Sequence, residues 1–200
     1  LINVTDLGAG ASQLPPQRTI KAIAGKAANR KKYGRLLYRS VQHFEAINIL
    51  ELGTNLGIGT AYLATANPTA KVFTIEGCTE LQQQAEKNFK ALSIKNIQSL
   101  TGSFDEMLPE ALKAMPAPDL VFIDGNHRYS PTIHYVKQLI PAMADEGIII
   151  LDDIHWSEEM EQAWQEICKW PEVSVSFDLF QMGFLFFRGG IRKQHFVLRY

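Results

Sequence analysis

The most constraining feature of the sequence is a regular alternation of short apolar runs with stretches of helical spacing. Each apolar run in the middle of the chain is followed by apolar residues three or four positions apart. Parallel strands need a long crossover connection, which a helix usually supplies, so the alternation predicts a parallel sheet covered by helices. The five predicted strands are residues 47–52, 71–76, 96–100, 119–124 and 147–152.

The last third of the chain has a different pattern. VSVSFDLF (173–180) alternates apolar and polar residues, and GFLFFRG (183–189) follows after only Gln181 and Met182. A connection this short permits only an antiparallel hairpin. We therefore predict an α/β fold with a doubly wound, mostly parallel, seven-stranded sheet that ends in an antiparallel C-terminal hairpin.

Length and composition indicate one soluble domain. The chain has 200 residues and a net charge of −1, so no basic face for nucleic acid is expected. Its two cysteines lie in unlike contexts, which favours a reduced, cytoplasmic protein, and no apolar run approaches the ~20 residues of a membrane span. Because the first residue is Leu1 rather than Met, we expect that a native N-terminus has been omitted.

Two N-terminal segments precede the alternating part. Residues 17–44 have helical spacing with a break near 29–34, and they open a single predicted domain at 17–200. Residues 1–16 contain VTDLGAGAS, an acid followed by glycines, but SQLPPQ comes next instead of a helix. Two prolines so close would block a helix start, so we interpret residues 1–16 as a flexible N-terminal arm.

Acidic residues follow most of the predicted parallel strands. Ligands of such sheets bind outside the carboxyl ends of the strands, so these carboxylates should gather at one crevice. A single acid at a strand end is common in turns, but four of five strands ending in acid make a negatively charged site. The residues concerned are Glu51, Glu76, Asp124, Asp152 and Asp153.

The first of these strands runs into the glycine loop ELGTNLGIG (51–59), which precedes a predicted helix at 58–66. A dinucleotide-binding loop has the spacing G-x-G-x-x-G, whereas this loop reads G-x-x-x-G-x-G. Carboxylates would repel a diphosphate and attract a positively charged sulfonium ion. Glu76, at the end of the second strand, could accept both hydroxyls of a ribose.

At this point the motifs carry a family resemblance. ILELGTNLGIGTAYLA, VFTIEG, GSFDEMLP, DLVFIDGNHRY and GIIILDD, in this order, resemble a class I S-adenosylmethionine-dependent methyltransferase. The resemblance covers residues 18–190, and the nearer similarity is to small O-methyltransferases of the catechol and caffeoyl-CoA type and their bacterial relatives. It implies a Rossmann-like fold, with residues 17–44 contributing to the acceptor site.

The resemblance implies a set of cofactor contacts. Glu51 and Gly53 should flank the methionine part of S-adenosylmethionine, Thr54 and Gly57 should shape the approach, and Glu76 should hold the ribose hydroxyls. For Phe104, packing in the core is as good an explanation as contact with the adenine, and for Cys78 burial of a small side chain is as good an explanation as that contact. The residues expected near the adenine are Gly77, Cys78, Gly102, Ser103 and Phe104, and Asp124 completes the cofactor site.

The resemblance also implies a metal site. In the catechol-type enzymes an acid ends the fourth strand and a pair of acid and Asn or Asp ends the fifth, which corresponds to Asp124, Asp152 and Asp153. Such carboxylates prefer Mg²⁺, Mn²⁺ or Ca²⁺. The family's lysine, three residues after the first acid, is replaced by His127, which could serve as a base or as a metal ligand.

The leading hypothesis is therefore an S-adenosylmethionine-dependent O-methyltransferase for a small hydroxylated molecule, with Asp124, His127 and His155 as catalytic candidates and with or without a divalent metal ion. A metal-independent enzyme that uses His127 or His155 as base is the first rival hypothesis. A non-catalytic cofactor-binding regulator and a nucleotide-binding oxidoreductase are two further hypotheses. Neither nucleic acid nor membrane is an expected partner, and a homodimer is left open.

Overall fold

The computed structural model describes residues 1–4, 17–27 and 31–200. The strands are β1 (Ile2–Asn3), β2 (Gln17–Arg18), β3 (Asn48–Leu52), β4 (Lys71–Glu76), β5 (Ile97–Thr101), β6 (Leu120–Ile123), β7 (Ile148–Asp152), β8 (Val175–Asp178), β9 (Met182–Phe186) and β10 (Gln194–Val197). The α-helices are α1 (Ile20–Ala27), α2 (Lys31–His43), α3 (Ile58–Ala66), α4 (Thr79–Ala91), α5 (Phe104–Ala114), α6 (Tyr129–Leu139) and α7 (Glu158–Ile167).

The main sheet has eight strands in the order β10-β8-β9-β7-β6-β3-β4-β5. The pairs among β3 to β7 are parallel, whereas β9 is antiparallel to both β7 and β8. The order reverses between β3 and β6, because the chain moves outward to β5 and then returns to the other side of β3. This switch point is where ligands of doubly wound sheets bind.

Helices cover the sheet on both faces. One core cluster joins the sheet to α5, α6 and α7, and a second joins it to α2 and α3. Strands buried on both faces consist of nearly continuous apolar residues, as Ile148 to Leu151 do, and all four of these side chains are buried.

The predicted fold is confirmed, including the C-terminal hairpin, in which Asp178 pairs with Gly183. All seven expected strands are present. The eighth, β10, was not expected, and it pairs parallel to β8 at the edge of the sheet. All four residues of β10 are exposed, so the sequence carries no buried face that would reveal a strand there.

The N-terminal arm is described only in part. Ile2 and Asn3 form β1, which pairs antiparallel with β2, and Ile2 is buried in a small cluster with Ile23 of α1. Asn3 donates hydrogen bonds from its backbone N and its Nδ2 to the carboxylate of Glu80, at 2.7 and 2.9 Å. The glycines of VTDLGAGAS lie outside the described residues, as does part of the break expected near 29–34.

Within the described ranges, every helix is too short or too polar to cross a bilayer.

Candidate active site

The structure brings the predicted carboxylates to one edge of the sheet. β4, β3, β6 and β7 are neighbours and run in the same direction, so Glu76, Glu51, Asp124 and Asp152 all lie at the same end of the sheet. Burial raises the pKa of Asp124 well above its usual range, and the negative charges of the other acids raise it further. This crevice therefore favours a cation.

Asp124 lies directly after β6, where its backbone N donates to Leu52 O at 2.8 Å. His127 is close to it, with 3.7 Å between His127 Nε2 and Asp124 Oδ1. About a fifth of each side chain is exposed, so a ligand can reach both. His127 has a left-handed backbone, with φ of 47°, as does Asn126, with φ of 66°, and this tight loop turns the imidazole back towards the acid.

Asp152 and Asp153 have different surroundings. Asp152 ends β7 and is buried, whereas Asp153 is half-buried and has a left-handed backbone with φ of 55°. The side-chain amide of Gln181 donates from Nε2 to Asp153 Oδ1 at 2.5 Å and to Asp152 Oδ1 at 3.4 Å. Burial raises the pKa of Asp153, and the nearby His127 counteracts that rise.

Asp153 does not cap the following helix. Ser157 is the N-cap of α7, because its hydroxyl accepts a hydrogen bond from Met160 N at 3.2 Å.

Glu51 is the most deeply buried of the acids. Its Oε2 accepts hydrogen bonds from the hydroxyls of Thr60 and Thr74, the latter at 2.6 Å. Burial raises its pKa to about 7. The two hydroxyl donors lower the pKa in part, and the charge of Glu76 raises it slightly. Because one carboxylate oxygen serves both threonines, Glu51 is held firmly beneath the glycine loop.

The glycine loop depends on close backbone approach. A Cβ on Gly53 would lie 1.9 Å from Asp124 O, and its φ is 108°, so only glycine fits. Thr54, buried beside it, shares a 2.6 Å hydrogen bond with the hydroxyl of Thr74. Gly57 has φ of 77° and is the N-cap residue of α3, where a Cβ would meet the ring of Phe89 at 2.4 Å.

Glu76 is held in position from both sides. Its Oε2 accepts from Asn55 N at 2.7 Å, and its Oε1 accepts from Cys78 N at 2.9 Å. The carboxylate therefore spans the glycine loop and the start of α4, and a carboxylate oxygen can accept more than one hydrogen bond. Gly77 is half-buried between these anchors, and Cys78 is buried with its thiol donating to Asn3 O at 3.4 Å.

The residues expected along the adenine edge also have structural roles. Gly102 has φ of 152°, and its N donates to Glu76 O at 3.0 Å. Ser103 forms a reciprocal capping box with Glu106 at the start of α5. Phe104 is half-buried in the core, where its ring meets Tyr135 edge-on at 5.6 Å. A Cβ on Gly125 would lie 2.8 Å from Phe104, so this ring also borders the Asp124 loop.

His155 does not face the acid cluster in the way His127 does. Its Nε2 lies 2.8 Å from Asp178 Oδ2, and its Nδ1 lies 4.0 Å from Glu161 Oε2. Both ring nitrogens therefore point at carboxylates of the protein. Of the two histidines predicted as bases, His127 is the one that lies beside Asp124.

Two residues near the site, Asp178 and Gln181, were not predicted from the sequence. Asp178 precedes the hairpin turn and Gln181 lies in it, and the turn reaches the site only because β9 pairs with β7, which sets Met182 opposite Asp152. The short break at Gln181–Met182 predicted a hairpin but not its neighbour in the sheet.

The fit of a metal ion can be tested on these contacts. The carboxylate oxygens are donors that Mg²⁺ accepts, but an amide from Gln181 bridges Asp152 and Asp153. In the described part of the chain, no group of three or more His, Cys, Asp or Glu residues is placed so that it could hold a metal ion. The arrangement does not fit the expected metal site as it stands.

Curated relatives are similar to about half of the chain. A catechol O-methyltransferase of Niastella koreensis is 28% identical over 124 residues, which cover 60% of this chain and 55% of the relative. A protein-L-isoaspartate O-methyltransferase of Fervidobacterium nodosum is 30% identical over 105 residues, or 52% of this chain and 48% of the relative. The chain thus spans about half the length of the curated relatives it matches.

Solved structures share the fold over most of the chain. The O-methyltransferase TomG from Streptomyces achromogenes, solved with SAM and involved in tomaymycin synthesis, has a TM-score of 0.72. It is 16% identical, and the match covers 90% of this chain and 94% of TomG. At this identity the likeness establishes the fold.

The family follows from a match of residues 50–154 to the model of a methyltransferase domain. This segment begins in β3, the strand before the glycine loop, and ends just after the paired acids, so it contains most of the site described above. The resemblance to class I S-adenosylmethionine-dependent methyltransferases is confirmed, and this chain belongs to the methyltransferase domain family.

Proposed function

We propose that the protein is an S-adenosylmethionine-dependent O-methyltransferase that acts on a hydroxyl group of a small molecule. One observation carries the proposal: acids from four neighbouring strands meet at the switch point, where burial and then the charges of the other acids raise the pKa of Asp124. Such a crevice attracts a positively charged methyl donor and repels a diphosphate, so it favours this cofactor over a dinucleotide. The similarity to O-methyltransferases supports transfer to oxygen.

The cofactor contacts are proposed residue by residue. Glu76, with its two oxygens oriented by backbone amides, would accept the ribose hydroxyls. Glu51, Gly53, Thr54 and Gly57 would surround the methionine part. The residues proposed to border the adenine and the rest of the cofactor are Gly77, Cys78, Gly102, Ser103, Phe104 and Asp124.

When bound, S-adenosylmethionine supplies an electrophilic methyl group: the carbon–sulfur bond breaks, its electron pair stays on sulfur, and a carbon–oxygen bond forms. The acceptor hydroxyl must lose its proton for this displacement. His127 is the proposed base, because its imidazole lies beside Asp124 and is partly exposed to a ligand. Asp124 would then stabilise the imidazolium that results, as an adjacent carboxylate does.

A divalent ion held by Asp124, Asp152 and Asp153 stays a prediction, and the chemistry above does not depend on it. The hydrogen bonds of Gln181 to both paired acids favour the metal-independent reaction, because a neutral donor takes the place of a cation. His155 is a weaker candidate for the base, since its nitrogens face Asp178 and Glu161.

The proposal is tested with cofactor-depleted protein, labelled S-adenosylmethionine and a panel of small hydroxylated compounds. We expect label on at least one compound, and we expect His127→Ala to slow transfer by about 10²–10⁴-fold, the usual contribution of a general base. The same assay with a chelator, then with added Mg²⁺ or Mn²⁺, separates the metal-dependent reaction from the metal-independent one.

Tight cofactor binding without transfer to any compound would contradict the enzyme and support the cofactor-binding regulator instead. Transfer that survives His127→Ala but not His155→Ala would assign the base to His155.

A further inference from the structure

The turn between β8 and β9 lies beside the paired acids. β9 runs antiparallel to β7, and Met182 pairs with Asp152, so the turn at 179–181 is fixed at the carboxyl end of β7. The turn also contacts the site directly, because Gln181 O accepts from Ile154 N at 3.4 Å in addition to the amide contacts with Asp152 and Asp153. The C-terminal hairpin is therefore a wall of the crevice.

The conformation of Phe180, at the tip of this turn, is unfavourable for folding. Its side chain is 75% exposed, although it is large and apolar. Its φ is 70°, in the left-handed region that is rare for a bulky residue. Neither feature helps the fold, and strained residues of this kind concentrate at functional sites.

Specific contacts hold Phe180 in this position. Asp178 is buried, and its Oδ1 accepts from Phe180 N at 2.8 Å. The other oxygen of Asp178 binds His155, and the His155 ring stacks on the Phe180 ring at 5.5 Å with 29° between the planes. Hydrogen bonds from Gln181 N to Leu179 O and from Leu179 N to Met182 O, both 2.9 Å, close the turn.

A second exposed aromatic residue borders the site from the loop after β7. Trp156 is 50% exposed, and its ring centroid lies 5.9 Å from that of His127. The imidazole of His127 in turn lies beside the carboxylate of Asp124. Trp156 thus contacts His127, and His155, the residue before it in the chain, stacks on Phe180, so two adjacent residues of this loop carry the aromatic contacts on either side. One face of the Phe180 ring is taken by His155, and the exposure of the side chain leaves surface for a ligand.

We propose that Phe180 is a specificity-determining residue, a platform on which a flat ring of the methyl acceptor stacks, and that Asp178 and His155 are positioning residues that hold it. The inference rests on the proposed function, because it assumes that the crevice takes a methyl acceptor. Stacking against an exposed, preorganised ring costs little conformational entropy, so the acceptor gains affinity from a surface already in place.

The test is a binding titration, which does not need turnover. The probe is 2,3-dihydroxynaphthalene, an uncharged flat diphenol, titrated by calorimetry into protein loaded with S-adenosylhomocysteine. Phe180→Asn removes the ring but tolerates the left-handed backbone. We expect probe affinity to fall about tenfold, as for loss of a stacked aromatic contact, with cofactor affinity unchanged and the melting temperature equal or higher.

Three controls accompany the variant. Phe180→Tyr keeps the ring and should retain probe affinity. Leu92→Asn removes another exposed apolar side chain, 62% exposed at the C-terminal end of α4 and thus at the opposite end of the sheet, and should change nothing. trans-1,2-Cyclohexanediol, a diol without a flat ring, should bind much more weakly than the diphenol to the wild-type protein.

Phe180→Asn protein that binds the probe like the wild type, or wild-type protein that does not bind it, would overturn the inference. A joint loss of stability and cofactor affinity in Phe180→Asn would assign Phe180 a structural role only. If this variant does not fold, Phe180→Leu gives the same comparison. Failure of the proposed function is a separate result, namely no transfer of labelled methyl to any compound.

Discussion

Glu51 shows how burial alone can change the chemistry of one residue. The pKa of this carboxyl group is raised from 4.5 to about 7, mainly by desolvation, so the folded protein holds the proton more tightly than the unfolded chain. The free energy of unfolding should therefore fall as the pH rises from about 4.5 to about 7, and level off above that. The side-chain amide of Glu51→Gln does not titrate, so the variant should lack this part of the pH dependence.

The comparison is made by urea denaturation between pH 5 and pH 8. From pH 5 to pH 8 the free energy of unfolding of Glu51→Gln should rise relative to that of wild type by on the order of 2–3 kcal/mol. This change is expected whatever the difference between the two proteins at pH 5. Glu80→Gln is the control, because hydrogen bonds from Asn3 lower the pKa of Glu80 and its titration lies below the range. Parallel curves for wild type and Glu51→Gln would mean that Glu51 is already ionised at pH 5.

Glu76 gives the matching prediction for binding. Because its oxygens are oriented by Asn55 N and Cys78 N, the ribose hydroxyls would meet a preorganised acceptor. Glu76→Ala should weaken the binding of S-adenosylmethionine and S-adenosylhomocysteine by about 1.5–3 kcal/mol, the range for a charged hydrogen bond. Calorimetry that finds unchanged affinity in a folded variant would remove Glu76 from the ribose site.

Residue positions at strand ends could be predicted from the sequence, but their contacts could not. Asp124 was predicted because an acid after an apolar strand is visible as a pattern, whereas His127 was predicted only because the family resemblance places a lysine at its position. Gln181 and Phe180 carry no such pattern, because their neighbours are distant in sequence and depend on the pairing of β9 with β7. Thr60 and Thr74, the donors to Glu51, were missed for the same reason.

Among the secondary-structure elements, β9 and α7 make a close contact that a single substitution can test. A Cβ on Gly183 would lie 2.5 Å from the ring of Trp164, which is buried, so the ring has little room to move. Gly183→Ala should therefore destabilise the protein by about 1–3 kcal/mol through overpacking. The measurement is the urea midpoint, or the melting temperature.

The matched control is Gly189→Ala. A Cβ there would meet nothing within 4 Å, and the residue lies in the loop after β9. Its stability should stay within about 0.5 kcal/mol of wild type, as for ordinary surface substitutions. Equal stability of both variants would indicate that Trp164 repacks without cost.

Elements with a buried face were predictable, and those without one were not. The apolar run from Ile148 to Leu151 indicated a strand covered on both sides because it alternates with helical stretches, and the short link at Gln181–Met182 allowed only a hairpin. β10 is exposed along its whole length, so its sequence, Gln194 to Val197, has no periodicity to detect. Its position depends on the parallel pairing with β8, which only the three-dimensional structure reveals.

At the scale of the whole molecule, charge is balanced in number but uneven in space. The chain has 20 basic and 21 acidic residues, yet the crevice gathers Glu51, Glu76, Asp124, Asp152 and Asp153. Like charges at close range disfavour ionisation of each other, so this site costs the protein stability while no cation is bound. Binding of a cationic ligand should relieve that cost, which couples the stability of the fold to occupancy of the site.

Asp152→Asn tests this coupling and the predicted metal ion together. The variant removes one buried charge while its Oδ1 can still accept from Asp153 N, as Asp152 Oδ1 does at 3.0 Å. Without ligand it should be as stable as wild type or more so, by up to about 1 kcal/mol, which raises the melting temperature by about 2–4 °C. If Asp124, Asp152 and Asp153 hold a divalent ion, Mg²⁺ or Mn²⁺ should raise the melting temperature of the wild type and not that of the variant. If neither ion nor a chelator changes the melting temperature or the methyl transfer of the wild type, the metal site is excluded. His127 is then the main catalytic candidate.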